Sequence, residues 1–156
     1  RLEPNDAPRI IRALEVIETT GESITSFQAN TQPALAANEW RGLALTPDRD
    51  ALYAAINARF DKMLEQGALE EVRAFAARKL DPTLPATKAH GAPALSAHLR
   101  GEMSLQAATE IGQRDTRRYA KRQFTWIANQ MPDWPRISAP GLPERVEMTL
   151  DVLSQG

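Results

Sequence analysis

Apolar residues recur at three- and four-residue intervals along most of this chain, so helix dominates the reading. Asp6 can cap a first helix that carries Pro8 in its first turn, where the missing N–H costs little. Ile10, Ile11, Leu14 and Ile17 supply its apolar positions, and Gly21 its stop. Ser23 to Ala29 adds a short helical turn, and Asn30 to Glu39 is loop by composition. Leu43, Ala44 and Leu45 form a short apolar run ended by Thr46-Pro47, which predicts a buried strand within 40–46. Helices follow over 50–66, with Leu52, Ile56, Phe60 and Met63 inward, and over 68–79, with Leu69, Val72, Phe75 and Ala76 inward.

Residues 81–85 and 87–93 read as irregular, and Pro93 opens a helix that runs to His98 or Leu99. Ser104 caps the longest helix, which reaches about Gln130 before Pro132. Leu105, Ala108, Ile111, Ala120, Phe124 and Ile127 form its expected buried side. Trp134 to Ala139 has the character of a short strand, and Pro143 begins a last helix with Val146, Leu150 and Leu153 apolar. The fold expected is mainly α with one or two short strands. A strand without a visible partner must pair its N–H and C=O groups somewhere, which places part of the sheet elsewhere. The chain opens on Arg1 just ahead of a helix start, as a piece of something longer would.

Composition narrows the classes. The 156 residues are 42% hydrophobic and 25% charged with a formal net charge of −1, ordinary for one globular protein. Any nucleic-acid or membrane binding must therefore come from local patches. Without cysteine there are no disulfides or thiolate metal sites. No apolar run spans a bilayer and no signal peptide opens the chain, so a cytoplasmic location is expected.

One patch stands out. Thr116 to Trp126 holds Arg117, Arg118, Lys121 and Arg122, with Tyr119, Phe124 and Trp126 between them. On a helix, Arg114, Arg118 and Lys121 fall on one side, and Arg117 and Lys121 do likewise. Cations held in register grip a phosphate backbone, and aromatic rings stack on bases. A solvated basic face and core packing of Phe124 and Trp126 account for the same residues. Arg9 sits at a helix N-terminus, against the macrodipole, where an anion or simple exposure would explain it. Arg59 borders an apolar stripe; such a cation snorkels, or points into a cleft and binds an anion. His90 and His98 lack the carboxylate company of a metal site, and neither a nucleophile elbow nor a phosphate loop is present.

Taken together, the motifs resemble the tRNA dimethylallyltransferase (tRNA isopentenyltransferase) family. The resemblance rests on Pro4-Asn5-Asp6, Arg9, Arg12-Ala13-Leu14-Glu15-Val16 and Thr20-Gly21. It continues through Arg59-Phe60, Met63, Gly67 and Glu71-Val72, then Thr116-Arg117, Ala120-Lys121-Arg122-Gln123 and Thr125-Trp126. The Ala-Lys-Arg-Gln-x-Thr-Trp run is its most specific part. The resemblance implies transfer of a dimethylallyl group from dimethylallyl diphosphate to N6 of the adenosine beside the tRNA anticodon, with Mg2+. It implies a P-loop NTPase-like α/β core with a helical insertion, whose phosphate loop and catalytic aspartate lie in an N-terminal half that this sequence lacks. Residues 1–39 then correspond to the end of the insertion and a linker, and 40–156 to the C-terminal part of the core. No catalytic residue and no metal ligand are expected within this piece.

The same resemblance implies three stretches that contact the tRNA anticodon stem-loop. The first is Ala7, Pro8, Arg9, Ile10 and Ile11. The second is Lys88, Ala89, His90, Gly91, Ala92 and Pro93. The third is Lys121, Arg122, Gln123, Phe124, Thr125, Trp126, Ile127 and Ala128. Arg59 matches an arginine that binds the donor's diphosphate. Pro8, Ala55, Ala92 and Ala128 depart from the family pattern, each removing a donor or a stacking surface. From the residues alone, a helical RNA-binding module without chemistry of its own stays open.

Overall fold

The computed structural model describes residues 3–36 and 38–154. The opening Arg1, and Ala37 within the expected 30–39 loop, lie outside the described residues. The chain divides into two compact units, Arg1–Arg41 and Gly42–Gly156.

The first unit is a helical hairpin. Helix α1 spans Ala7–Thr20 and α2 spans Ile24–Asn30. Asp6 accepts a hydrogen bond from the Arg9 N–H at 3.4 Å, and Gly21 takes the left-handed conformation that ends α1. Ser23 caps α2 through the Ser26 N–H at 3.3 Å. The apolar stripe of α1 is not sunk in a core: Ile11, Leu14 and Ile17 are exposed.

The second unit carries α3 (Arg49–Glu65), α4 (Ala68–Ala77), a 3-10 turn (Pro85–Lys88), α5 (Ala92–Leu99), α6 (Leu105–Gln130) and α7 (Leu142–Ser154). The strand pattern expected in 40–46 shrinks to β1, Ala44–Leu45, in which only Ala44 is buried. It finds its partner within the chain. β2, Arg136–Ile137, lies parallel to it with Ala44 opposite Arg136 and Leu45 opposite Ile137. The Ala44 N–H donates to the Pro135 carbonyl at 2.9 Å and the Thr46 N–H to that of Ile137 at 2.8 Å. Side-by-side parallel strands need a long crossover, and here the whole helical array supplies it. The Trp134 indole occupies the space where a side chain at Gly42 would stand.

The core gathers Phe60, Val72, Ala94, Leu95 and Ala108, ringed by Leu64, Leu69, Leu99, Met103 and Ile111. Burying a ring the size of Phe60 contributes roughly 1.5–3 kcal/mol. Its seat is built from two glycines. Gly91 has φ +89°, a conformation that disfavours any side chain, and a Cβ there would stand 2.7 Å from Phe60 Cε2. A Cβ at Gly112, midway along α6, would collide with the Cζ end of the same ring. Helix α6 begins on Ser104, whose hydroxyl accepts from the Ala107 N–H at 3.1 Å. It ends under Arg136, whose guanidinium donates to the Met131 carbonyl at 2.7 Å and reaches that of Ile127 at 3.4 Å. A cation suits that end of the macrodipole. Among the described residues no helix is long and apolar enough to cross a membrane.

Gly112→Ala is expected to destabilise the protein. Overpacking costs about 1–3 kcal/mol, while Gly→Ala in a helix returns about 1 kcal/mol. With the new methyl against the Phe60 ring the loss dominates, and the net is a decrease of up to about 2 kcal/mol. Urea unfolding measures it; an unchanged midpoint would show that the ring is not held there.

Candidate functional site

The segments expected to contact tRNA fall in both units. Ala7, Pro8, Arg9, Ile10 and Ile11 form the first turns of α1, in the first unit. Arg9 has a local partner: its guanidinium lies 3.3 Å from the Asp6 carboxylate, so the capping aspartate accounts for a cation at the unfavourable end of the dipole. Arg12 pairs with Glu15 at 3.4 Å in the same way.

The other two segments meet in the second unit. Lys88 closes the 3-10 turn and Ala89, His90 and Gly91 lead into α5, which opens with Ala92 and Pro93. Lys121, Arg122, Gln123, Phe124, Thr125, Trp126, Ile127 and Ala128 form the last turns but one of α6. His90 bridges the two: its ring centroid lies 5.0 Å from that of Tyr119, tilted by 52°, within the range of a favourable aromatic pair. Arg122 in turn lies over the Tyr119 ring, 5.7 Å from its centroid, a cation–π distance. Tyr119 lies just before the third expected segment, and only the spatial neighbourhood reveals what its ring does.

The basic residues of α6 divide into two uses. Arg117 is half-buried and donates to the Asn57 side-chain oxygen on α3. One turn earlier, Gln113 Nε2 donates to Asp61 Oδ1 at 2.8 Å and reaches the Asn57 carbonyl at 3.4 Å. These contacts form a polar seam beside Phe60 that ties α3 to α6. Arg114 and Arg118 flank Asp115 at 3.4 and 3.8 Å. Among the described residues, the side chains of Arg59, Lys88 and Lys121 have no ion pair or hydrogen bond. All three are exposed, as is Arg122. Trp126 is 55% exposed, so the core reading fails for it, while Phe124 is half-buried beside Leu45, Pro47 and Leu52.

Arg59 precedes Phe60 on α3, and Met63, one turn on from Arg59, lines a cleft of about 260 Å3. Phe60, Val72, Phe75, Ala89 and His90 complete much of its wall, so it runs beneath the 88–93 segment. His98 plays a structural part, with Nδ1 3.0 Å from the Met103 carbonyl. Among the described residues no three His, Asp or Glu side chains gather as a metal site.

The unit defined by these observations is helical, with unpaired cations and exposed aromatic rings on one long helix and on the loop beside it. Residues 1–130 match the family model described as IPP transferase. The tRNA dimethylallyltransferase of Nitrobacter hamburgensis is 55% identical over 157 residues, covering 100% of this chain and 48% of that protein. That of Maricaulis maris is 50% identical, covering 99% and 50%. The solved tRNA delta(2)-isopentenylpyrophosphate transferase of Staphylococcus epidermidis superposes with a TM-score of 0.65 at 26% identity, over 99% of this chain and 50% of that one. The tRNA isopentenylpyrophosphate transferase of Bacillus halodurans gives 0.65 at 29% identity, over 99% and 46%. The chain belongs to the IPP transferase family, and it spans about half the length of the curated relatives it matches.

Arg117→Ala is expected to act on the fold rather than on RNA. Loss of the hydrogen bond to Asn57 should cost about 1–2 kcal/mol in thermal unfolding. The salt dependence of RNA binding should stay as in the parent, because this guanidinium is engaged within the protein. A reduced salt slope would assign it to a phosphate instead.

Proposed function

We propose that this chain is the C-terminal portion of a tRNA dimethylallyltransferase. In the whole protein a dimethylallyl group passes from dimethylallyl diphosphate to N6 of the adenosine next to the anticodon. The C–O bond to the diphosphate breaks as the C–N bond forms, and the N6 proton leaves to a base outside this chain. The observation that carries the reading is the meeting of the 88–93 and 121–128 segments through His90, Tyr119 and Arg122. Those are two of the three stretches that the family pattern assigns to tRNA, and family membership supports the chemistry.

In this reading Arg59 receives the diphosphate. Its guanidinium is exposed and, among the described residues, has no carboxylate partner. The leaving group gains charge as the C–O bond breaks, and a two-pronged donor stabilises that charge. Lys88, Lys121 and Arg122 hold the RNA backbone, and exposed Trp126 offers a stacking face to a base that has left its own stack. Ala7 to Ile11 adds the third RNA contact. Mg2+ belongs with the donor diphosphate and with residues outside this chain. The location that goes with this reading is cytoplasmic.

A prenyl-transfer assay on this 156-residue chain with tRNA and dimethylallyl diphosphate is expected to show no turnover. Turnover comparable to a full-length enzyme would overturn the assignment of the base and phosphate loop to the other half. In the full-length protein, Arg59→Ala should raise KM for the donor by about 10–100-fold, as expected when a charge-assisted bond is lost. If tRNA affinity falls and donor KM does not move, Arg59 is an RNA contact.

A further inference from the structure

Tyr119 stands at the junction of two segments that the function claims, yet belongs to neither. It lies seven residues from Gly112, so the two positions share one face of α6. Gly112 meets the Phe60 ring, and the same ring meets Gly91. The next residue back, His90, meets Tyr119. The 90–91 corner is thus fixed at two successive points along one stripe of α6: through Phe60 at Gly112, and directly at Tyr119. Three residues further on, Arg122 lies over the same ring, 5.7 Å from its centroid. No side-chain hydrogen bond is recorded for the Tyr119 hydroxyl among the described residues, and the ring is 44% exposed. The contacts it makes are ring contacts, a tilted pair with His90 and a cation–π pair with Arg122.

We infer that Tyr119 is a positioning residue for tRNA: its ring holds Arg122 and the 88–93 loop in one arrangement, so that two RNA-contact segments are presented together. This rests on the RNA reading of Arg122 and the loop, and adds to it a residue that touches neither donor nor base. An arginine on an exposed helix otherwise samples many rotamers, and immobilising it on binding weakens affinity. A ring that fixes it beforehand removes part of that cost. The ring's value to Arg122 is that of an exposed cation–π pair, equivalent to about 2–5-fold in affinity.

The experiment measures tRNA affinity across a salt series, and KM for tRNA and donor, in the full-length protein carrying Tyr119→Leu, Tyr119→Phe, Arg122→Ala and Tyr119→Leu with Arg122→Ala. Tyr119→Leu is expected to weaken tRNA binding about 2–5-fold and raise KM for tRNA alike, leaving donor KM unchanged. Tyr119→Phe should match the parent, since the ring remains. Arg122→Ala should reduce the salt slope by about one unit. The double variant should be weaker than Arg122→Ala by less than the full Tyr119→Leu effect. A phenylalanine as damaging as leucine, full additivity in the double variant, or a donor KM that rises equally would each overturn the inference. If Arg122→Ala binds tRNA as the parent does, the RNA reading itself fails. If Arg122→Ala weakens binding and Tyr119→Leu does not, the inference alone fails.

Discussion

The Phe60 ring is held between two backbones that carry no side chain toward it, Gly91 at the mouth of α5 and Gly112 in the middle of α6. The packing of α3, α5 and α6 meets at that contact. It sets how closely α3 approaches α6, and the polar seam from Asn57 and Asp61 to Gln113 and Arg117 then locks the rotation. It also pins the corner before α5, so the loop that carries Lys88 and His90 lies against α6 and not free in solvent. A methyl group at either glycine would push the ring out, because close-packed interiors have no slack of that size.

Helix α6 changes character along its length for the same reason. Its first half is pressed on α3 and α5, with Ala108 and Gly112 small enough for close approach. Beyond Tyr119 one face stays covered, with Ala120 buried and Phe124 and Ile127 half-buried, while Arg122 and Trp126 on the other face are exposed. Its cations follow this division. Arg117 serves the seam, and Arg114 and Arg118 flank Asp115, while Lys121 and Arg122 have no ion pair among the described residues. The basic run that reads as one patch is thus divided by what each side chain meets.

The short β1–β2 ladder links the two ends of this array. Its two strands come from either side of the helices, and their pairing brings the start of α3 near the end of α6. Arg136 makes the join firmer by capping α6 from the strand itself. A two-residue parallel pair contributes little alone; its place is to define where the chain crosses from one edge of the helical layer to the other.

Helix positions and caps were legible in the residues because they depend on neighbours within one turn. Asp6, Ser23, Asp48 and Ser104 each cap the helix that their position announces. The apolar spacing of α3 and α4 likewise pointed to Phe60 and Val72 as core. The family pattern named the 88–93 and 121–128 segments, but their meeting was not readable, since no local rule relates residues so far apart in sequence. Nor could spacing tell which arginines bind inward: Arg117 and Arg118 are adjacent, and only the presence of Asn57 across the helix interface separates their roles. Trp126 looked like core by type and is exposed because it lies off the face of α6 that Phe124 and Ile127 turn toward the fold. The amino-acid order determined the helices, their ends and the stock of cations. The tertiary structure alone decided which cations were spent on the fold and which stayed free, because that depends on what each side chain meets across the interface.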